Sequence, residues 1–126
     1  MLLAVETVGG AFLVDLDEET AEAWYGTLEP QALDVGLPRL VSAAAAGSTV
    51  VAALDMRPPL VVSHDAGRTW REAGRGLPEI RAVAVSDDNP DVMVAAARNR
   101  LYLSRDGGRF WSALALELPE IQAISF

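Results

Sequence analysis

An eight-residue turn motif occurs twice in the chain and constrains its fold more than any other feature. The first copy is Ser63-His-Asp-Ala-Gly-Arg-Thr-Trp70, and the second, 41 residues later, is Ser104-Arg-Asp-Gly-Gly-Arg-Phe-Trp111. Both copies follow short runs of β-forming residues. The aspartate can accept hydrogen bonds from N–H groups of its own turn, and the glycine can adopt a positive φ. The motif therefore predicts a repeat protein of antiparallel strands joined by tight turns.

A second recurring feature is a Leu-Pro pair at Leu37, Leu77 and Leu118, with spacings of 40 and 41 residues. So regular a period indicates a stack of similar supersecondary units. Residues 37–76 and 77–117 each contain four apolar segments separated by turn residues, which we label strands A, B, C and D. Each unit is therefore predicted to be a four-stranded antiparallel sheet.

Residues 1–36 carry a decayed copy of the unit with no strand A. Aligning the three tryptophans places Trp24 over Trp70 and Trp111, so that Glu19 occupies the position of the motif's aspartate. The position of the motif's glycine is Ala21, and we expect a different turn there, with a short helical turn over residues 18–23 as one form.

The missing strand lies at the other end of the chain. Residues 118–126 continue from the third Leu-Pro pair into a segment, residues 121–126, that matches residues 80–85 at the start of the preceding unit. The predicted strand order along the chain is thus B-C-D, A-B-C-D, A-B-C-D, A.

The motif Ser-x-Asp-x-Gly-x-Thr-Trp resembles the Asp-box of the BNR repeat family, which includes sialidases, sortilin-type receptors and photosystem II assembly factors. In that family the box joins the third and fourth strands of a β-propeller blade and lies at the blade periphery. The resemblance implies structural roles for one set of residues: Ser63, Asp65, Gly67, Thr69, Trp70, Ser104, Asp106, Gly108, Trp111 and Trp24.

The predicted fold class is all-β, with three propeller blades that amount to half of a six-bladed ring. Three blades are fewer than the about four to eight that usually close a propeller. Left unpaired, residues 121–126 would form an apolar edge without proline or charge. We therefore expect a homodimer in which each chain lends this strand to the Met1 blade of its partner. The alternative is an open stack of three blades cut from a longer parent chain.

Composition excludes several classes of function. The net charge of −8 would repel a nucleic-acid backbone. The absence of cysteine excludes disulfide and thiol chemistry and fits a reducing compartment. The first residues lack a basic segment, and no apolar run is long enough to span a bilayer. We expect a cytoplasmic protein with neither nucleic acid nor membrane as a partner.

Binding residues are expected on the A strands, which line the central channel of propellers. The candidates are Arg39, Glu79, Arg81, Glu120 and Gln122. In a ring these side chains could hold a small polar ligand or an extended peptide, or they could pair with one another as a plug.

No catalytic, metal or cofactor site is predicted. The only imidazole is His64, so a zinc site and a histidine-dependent nucleophile have little to rest on. The acidic run at residues 87–91 could suit Ca²⁺, although an Asn-Pro turn explains it without metal. A sialidase could draw on Arg39, Arg81 and Arg98, but the Arg-Ile-Pro motif of that family is absent.

The leading functional prediction is a non-catalytic binding or scaffold module with a protein, peptide or glycan ligand. The alternatives are a sialidase-like protein that binds or hydrolyses glycans, and an assembly factor similar to those of photosystem II.

Overall fold

A computed structural model describes all of residues 1–126 and contains twelve β-strands and no helix. The repeats explain this content, since short runs of β-branched and small apolar residues alternate with turn residues throughout. The strands are β1 (Leu2–Thr7), β2 (Gly10–Asp15), β3 (Thr20–Trp24), β4 (Leu40–Ala46), β5 (Thr49–Leu54), β6 (Leu60–Ser63), β7 (Arg71–Ala73), β8 (Ala82–Val85), β9 (Met93–Ala96), β10 (Leu101–Ser104), β11 (Ser112–Ala113) and β12 (Ile121–Ser125).

The strands form three antiparallel sheets of four strands each, as the repeat predicted. Blade 1 has the order β12-β1-β2-β3, blade 2 the order β4-β5-β6-β7, and blade 3 the order β8-β9-β10-β11. In blades 2 and 3 the strands pair in chain order. Blade 1 takes its first strand from the far end of the sequence.

The last strand therefore completes the first blade, which is the sheet that the sequence predicted for it. The register pairs Ala4 with Ser125, Val5 with Ile124 and Glu6 with Ala123. In the structure β12 pairs with β1 of its own chain, whereas the sequence prediction assigned it to the first blade of a partner chain. The linker of residues 114–120 carries β12 from the edge of blade 3 back to blade 1.

Two hydrophobic cores hold the blades together. One lies between blades 2 and 3 and includes Leu60, Val62 and Met93. The other lies between blades 3 and 1 and includes Ile121 and Ile124, which are 0% and 2% exposed. Burying each such side chain contributes about 1.5–3 kcal/mol. Blade 3 is thus the middle of the assembly.

No third core joins blade 1 to blade 2, so the three blades form an open arc. Each core joins one face of a blade to the opposite face of the next blade, in the order 2, 3, 1. We call the first of these the front face of a blade and the second the rear face. The front face of blade 1, which carries Leu2, Ala4 and Leu13, has no blade against it. The rear face of blade 2 has no blade against it either, although its centre is buried within the chain, with Ala43 3% and Ala52 0% exposed. The arc therefore ends in one front face and one rear face that pack on no other blade.

The turn of blade 1 differs from the sequence prediction. Residues 20–24 form β3, so there is no helical turn, and Trp24 ends this strand, whereas Trp70 and Trp111 precede theirs. Alignment on tryptophan is therefore wrong for this blade. The turn is shorter, and Asp15 organises it by accepting hydrogen bonds from the N–H groups of Asp17 (2.9 Å) and Glu18 (3.1 Å).

Candidate functional site

The first repeated turn, residues 63–70, is held by hydrogen bonds of its own serine and aspartate. The Ser63 hydroxyl donates to the Asp65 carboxylate (2.7 Å) and accepts from the N–H of Gly67 (2.8 Å). Both the N–H and the hydroxyl of Thr69 donate to Asp65, at 2.9 and 2.6 Å. The hydrogen bonds that the Asp65 carboxylate accepts thus come from its own turn, and the carboxylate holds that turn together.

The second turn, residues 104–111, repeats this pattern without the threonine hydroxyl. Asp106 accepts from the Ser104 hydroxyl (2.8 Å) and from the N–H of Phe110 (3.0 Å). Gly108 has a φ of 90°, and a Cβ there would lie 2.9 Å from Val62 of blade 2. The indole N–H of Trp111 donates to the carbonyl of the same glycine at 2.9 Å. This turn therefore packs directly against the neighbouring blade.

The electrostatics of both turns favour the charged aspartate. The pKa of Asp65 is held far below its usual range, first by the Thr69 hydroxyl, then by the Thr69 N–H and the Ser63 hydroxyl. The pKa of Asp106 is lowered mainly by the N–H of Phe110. A carboxyl held ionised in this way cannot serve as a general acid at neutral pH.

A third lowered pKa belongs to Asp17, which joins the chain's first residue to blade 3. The N-terminal ammonium donates to Asp17 at 2.8 Å, and Arg105 donates to the same carboxylate at 2.9 Å. The ammonium is the main cause of the lowered pKa of Asp17, and the aspartate in turn raises the pKa of the ammonium. This cluster links the turn of blade 1 to the second repeated turn.

The acidic run at residues 87–91 forms a turn. The N–H of Asn89 donates to the Ser86 hydroxyl at 3.3 Å, and the Asn89 side chain accepts from the N–H of Asp91 at 3.2 Å. The structure assembles no group of three or more histidine, cysteine, aspartate or glutamate residues suited to a metal. The side chains of Ser86 and Asn89 thus hold this turn, whereas the carboxylates of Asp87, Asp88 and Asp91 accept no hydrogen bond.

The candidate channel residues lie at or just before the start of the inner strands β4, β8 and β12. We call the end of the blades where these three strands begin the linker end. Two of them meet there: Arg81 lies 3.6 Å from Glu120, and Arg98 donates to the same carboxylate at 3.1 Å. The side chains of Arg81 and Glu120 are 41% and 37% exposed. The pair joins blade 3 to blade 1, and exposure of this kind keeps its stabilising contribution small.

The other three candidates are not brought together. Arg39 has a φ of 60° just before β4, and its guanidinium donates only to the carbonyl of Asp55, at 3.4 Å. The side chains of Glu79 and Gln122 are exposed and make no hydrogen bond or ion pair. The linker end therefore combines one ion cluster with three separate polar side chains.

The central axis contains a small cavity that sequence reasoning did not anticipate. Its volume is about 160 Å³, and it lies among the inner strands of all three blades. Its lining includes Glu29 and Gln31 from the linker of residues 25–39. The Gln31 amide accepts from the N–H of Ala45 (2.7 Å) and donates to its carbonyl (3.0 Å). Small-molecule pockets are usually about 300–1,000 Å³, so this cavity lies below their range.

The length of that linker was the one sign in the sequence that it does more than connect two blades. It spans residues 25–39, whereas the linkers into β8 and β12 span only residues 74–81 and 114–120. A linker that merely crossed to an adjacent blade would not need the extra residues. No periodic pattern in it, however, points to the contact between Gln31 and β4.

The comparisons with known proteins give likenesses of structure alone. No protein-family model and no curated protein matches the chain. Among solved structures, the chain is similar to "YCF48 bound to D1 peptide" with 20% identity and a TM-score of 0.54, covering 88% of this chain and 39% of that one.

A second similar structure is the GH74 enzyme of Niastella koreensis, with 20% identity and a TM-score of 0.54. The match covers 96% of this chain and 18% of that one. The chain thus spans less than half the length of either protein that it matches. No helix here is long and apolar enough to cross a membrane. Together, the three four-stranded sheets and these likenesses identify the fold as that of β-propeller blades.

Proposed function

We propose that the protein is a non-catalytic β-propeller scaffold that binds a protein or peptide, and that two copies complete a six-bladed ring. The observation that carries the proposal is the open arc of three blades with two cores. One front face and one rear face remain unmatched, and a second copy supplies the complement of each.

The repeat itself supports the missing interface. Leu77 and Leu118 are the leucines of the Leu-Pro pairs before β8 and β12. Each is 7% exposed because a core between two blades covers it. Leu37 holds the same repeat position before β4 and is only half-buried. Its cover would come from the front face of a blade 1, and the arc leaves that face free.

Because β12 pairs with β1 of its own chain, the proposed dimer forms without strand exchange. Each chain keeps its own last strand and contributes three complete blades, so the ring closes through two face-to-face contacts. Neither half needs to unfold in order to assemble.

Solution mass tests this assembly. Light scattering coupled to size exclusion, at several protein concentrations, is expected to give twice the chain mass of 13.4 kDa. A single-chain mass at every concentration would refute the ring.

A peptide ligand at the linker end is the proposed cargo. YCF48 is a structural neighbour whose printed description includes a bound peptide, and the linker end here offers exposed charges of both signs. Selection from a random peptide library against the full chain tests this. Binders that are lost on Arg81→Ala, and retained on the distant Arg109→Ala, are the expected result. Binders indifferent to Arg81→Ala would contradict the proposed location.

Glycoside hydrolysis is the second candidate, because one structural neighbour is a GH74 enzyme. A paired-carboxylate mechanism needs one carboxyl that holds its proton. Every carboxyl with a shifted pKa, namely those of Asp17, Asp65 and Asp106, has its pKa lowered. A fluorogenic glycoside panel and a glycan array test this alternative, and turnover lost on Arg81→Ala would favour it over the scaffold.

A further inference from the structure

The front face of blade 1 leaves several apolar side chains exposed. Leu2 is 55% exposed and Phe126 is 37% exposed, and both lie on this face or at its border. They line a groove of about 460 Å³ together with Ala4, Leu13, Trp24 and Leu28. In blades 2 and 3 the corresponding faces are buried in cores. The same face in blade 1 is therefore built as an interface and left uncovered.

The complementary surface lies on blade 2. Its rear face is buried at its centre, where Ala43 is 3% and Ala52 is 0% exposed. The part that remains open is the rim where β4 begins, with Leu37 and Leu40 half-buried and Val41 46% exposed. An apolar rim of this kind is what the front face of a preceding blade covers elsewhere in the arc.

Charge at the linker end sets the orientation. Between blades 3 and 1, Arg98 of the front blade meets Glu120 at the start of the next inner strand. On blade 1, Val8 occupies the repeat position of Arg98, and the exposed Glu6 precedes it by two residues on the front face. The position of Glu120 in blade 2 is Arg39. Glu6 itself aligns with Ala96, one front-face position before that of Arg98, and its charge is opposite to that of Arg39.

We propose that the front face of blade 1 docks on the rim of residues 37–41 of a second copy, with Glu6 forming an ion pair with the partner's Arg39. This inference rests on the proposed ring and adds its contact surface. The partner is a second copy of the chain because the two unmatched faces belong to one repeat series. Neither Glu6 nor Arg39 has an ion-pair partner within the chain.

Charge reversal tests the pair. Glu6→Arg and Arg39→Glu are each expected to raise the dimer dissociation constant about tenfold or more, because each places like charges together. The double variant is expected to return to within about threefold of the parent constant. Glu18→Arg makes the same charge change at the opposite end of blade 1 and is the matched control. Sedimentation velocity over a dilution series gives the constants, and thermal unfolding of each variant checks its fold.

The outcomes separate the two proposals. A parent protein that stays monomeric at all concentrations overturns both the ring and this interface. A dimer whose constant is unchanged by either single variant keeps the ring but overturns this interface. Single variants that weaken the dimer without recovery in the double variant also overturn the direct pairing of Glu6 with Arg39.

Discussion

The clasp between the two ends of the chain can be locked covalently, because the sequence contains no cysteine to interfere. Ala4 and Ser125 face each other across β1 and β12. Antiparallel partners have Cα atoms about 4.5–5.5 Å apart, which lies within the range that a disulfide spans. Ala4→Cys with Ser125→Cys is therefore expected to oxidise within one chain and to run as a monomer on a non-reducing gel.

The size of the effect follows from the loop that the bond closes. Residues 4–125 form a loop of about 120 residues, for which the chain-entropy relation gives a stabilisation of about 5 kcal/mol as an upper value. Urea unfolding of the oxidised and reduced forms measures it. Domains of this size have total free energies of unfolding of about 5–15 kcal/mol, so the disulfide would raise the urea midpoint by a large amount.

One result would refute the reasoning directly. If β12 were exchanged between chains, the same two cysteines would link two molecules, and the oxidised band would move to twice the chain mass. The single variant Ala4→Cys is the control, since it cannot form a bond within one chain.

Two further predictions concern the repeated turns. Gly67→Ala and Gly108→Ala both place a side chain at positive φ, at a cost of about 1–2 kcal/mol. Only the new Cβ at position 108 also meets a neighbouring blade, at 2.9 Å. Urea unfolding should therefore show Gly108→Ala to be more destabilising than Gly67→Ala by about 1–3 kcal/mol. Equal costs would contradict the packing of the second turn. The lowered pKa of Asp65 means that its contribution to stability is present above the ordinary carboxyl range and is lost as pH falls below it. Asp65→Asn should therefore flatten the acid limb of the stability–pH curve, and an unchanged limb would show that the turn does not hold the carboxylate.

Much of the fold was predictable because the repeat is local and periodic. The four-stranded sheets predicted for residues 37–76 and 77–117 are present, and residues 121–126 were predicted to complete a first blade. Which chain supplies that strand was not predictable, since the hydrogen-bonding pattern is the same within one chain and between two.

The first blade shows where pattern matching fails. Trp24 is one of three tryptophans spaced like repeats, yet its strand begins four residues before it. Asp15 folds the turn two residues earlier than the aligned motif begins. A residue type that recurs at about the right spacing identified the repeat but not the register.

The candidate site was predictable only in part. Arg81 and Glu120 meet because they begin neighbouring inner strands, a consequence of the repeat. Arg39 stands apart because no blade packs against the rear face of blade 2, at whose first strand it lies. Gln31 was missed because a side-chain contact from an irregular linker leaves no periodic trace.

The contact between Gln31 and Ala45 has a consequence for solubility. A bare inner edge on β4 would offer a row of N–H and C=O groups on which an incoming strand could add, rung after rung. A glutamine amide satisfies one N–H and one C=O and then stops, since it carries no backbone to continue the ladder. This pair of backbone groups on the edge of β4 is thereby unavailable to an incoming strand, and the sheet is not lengthened.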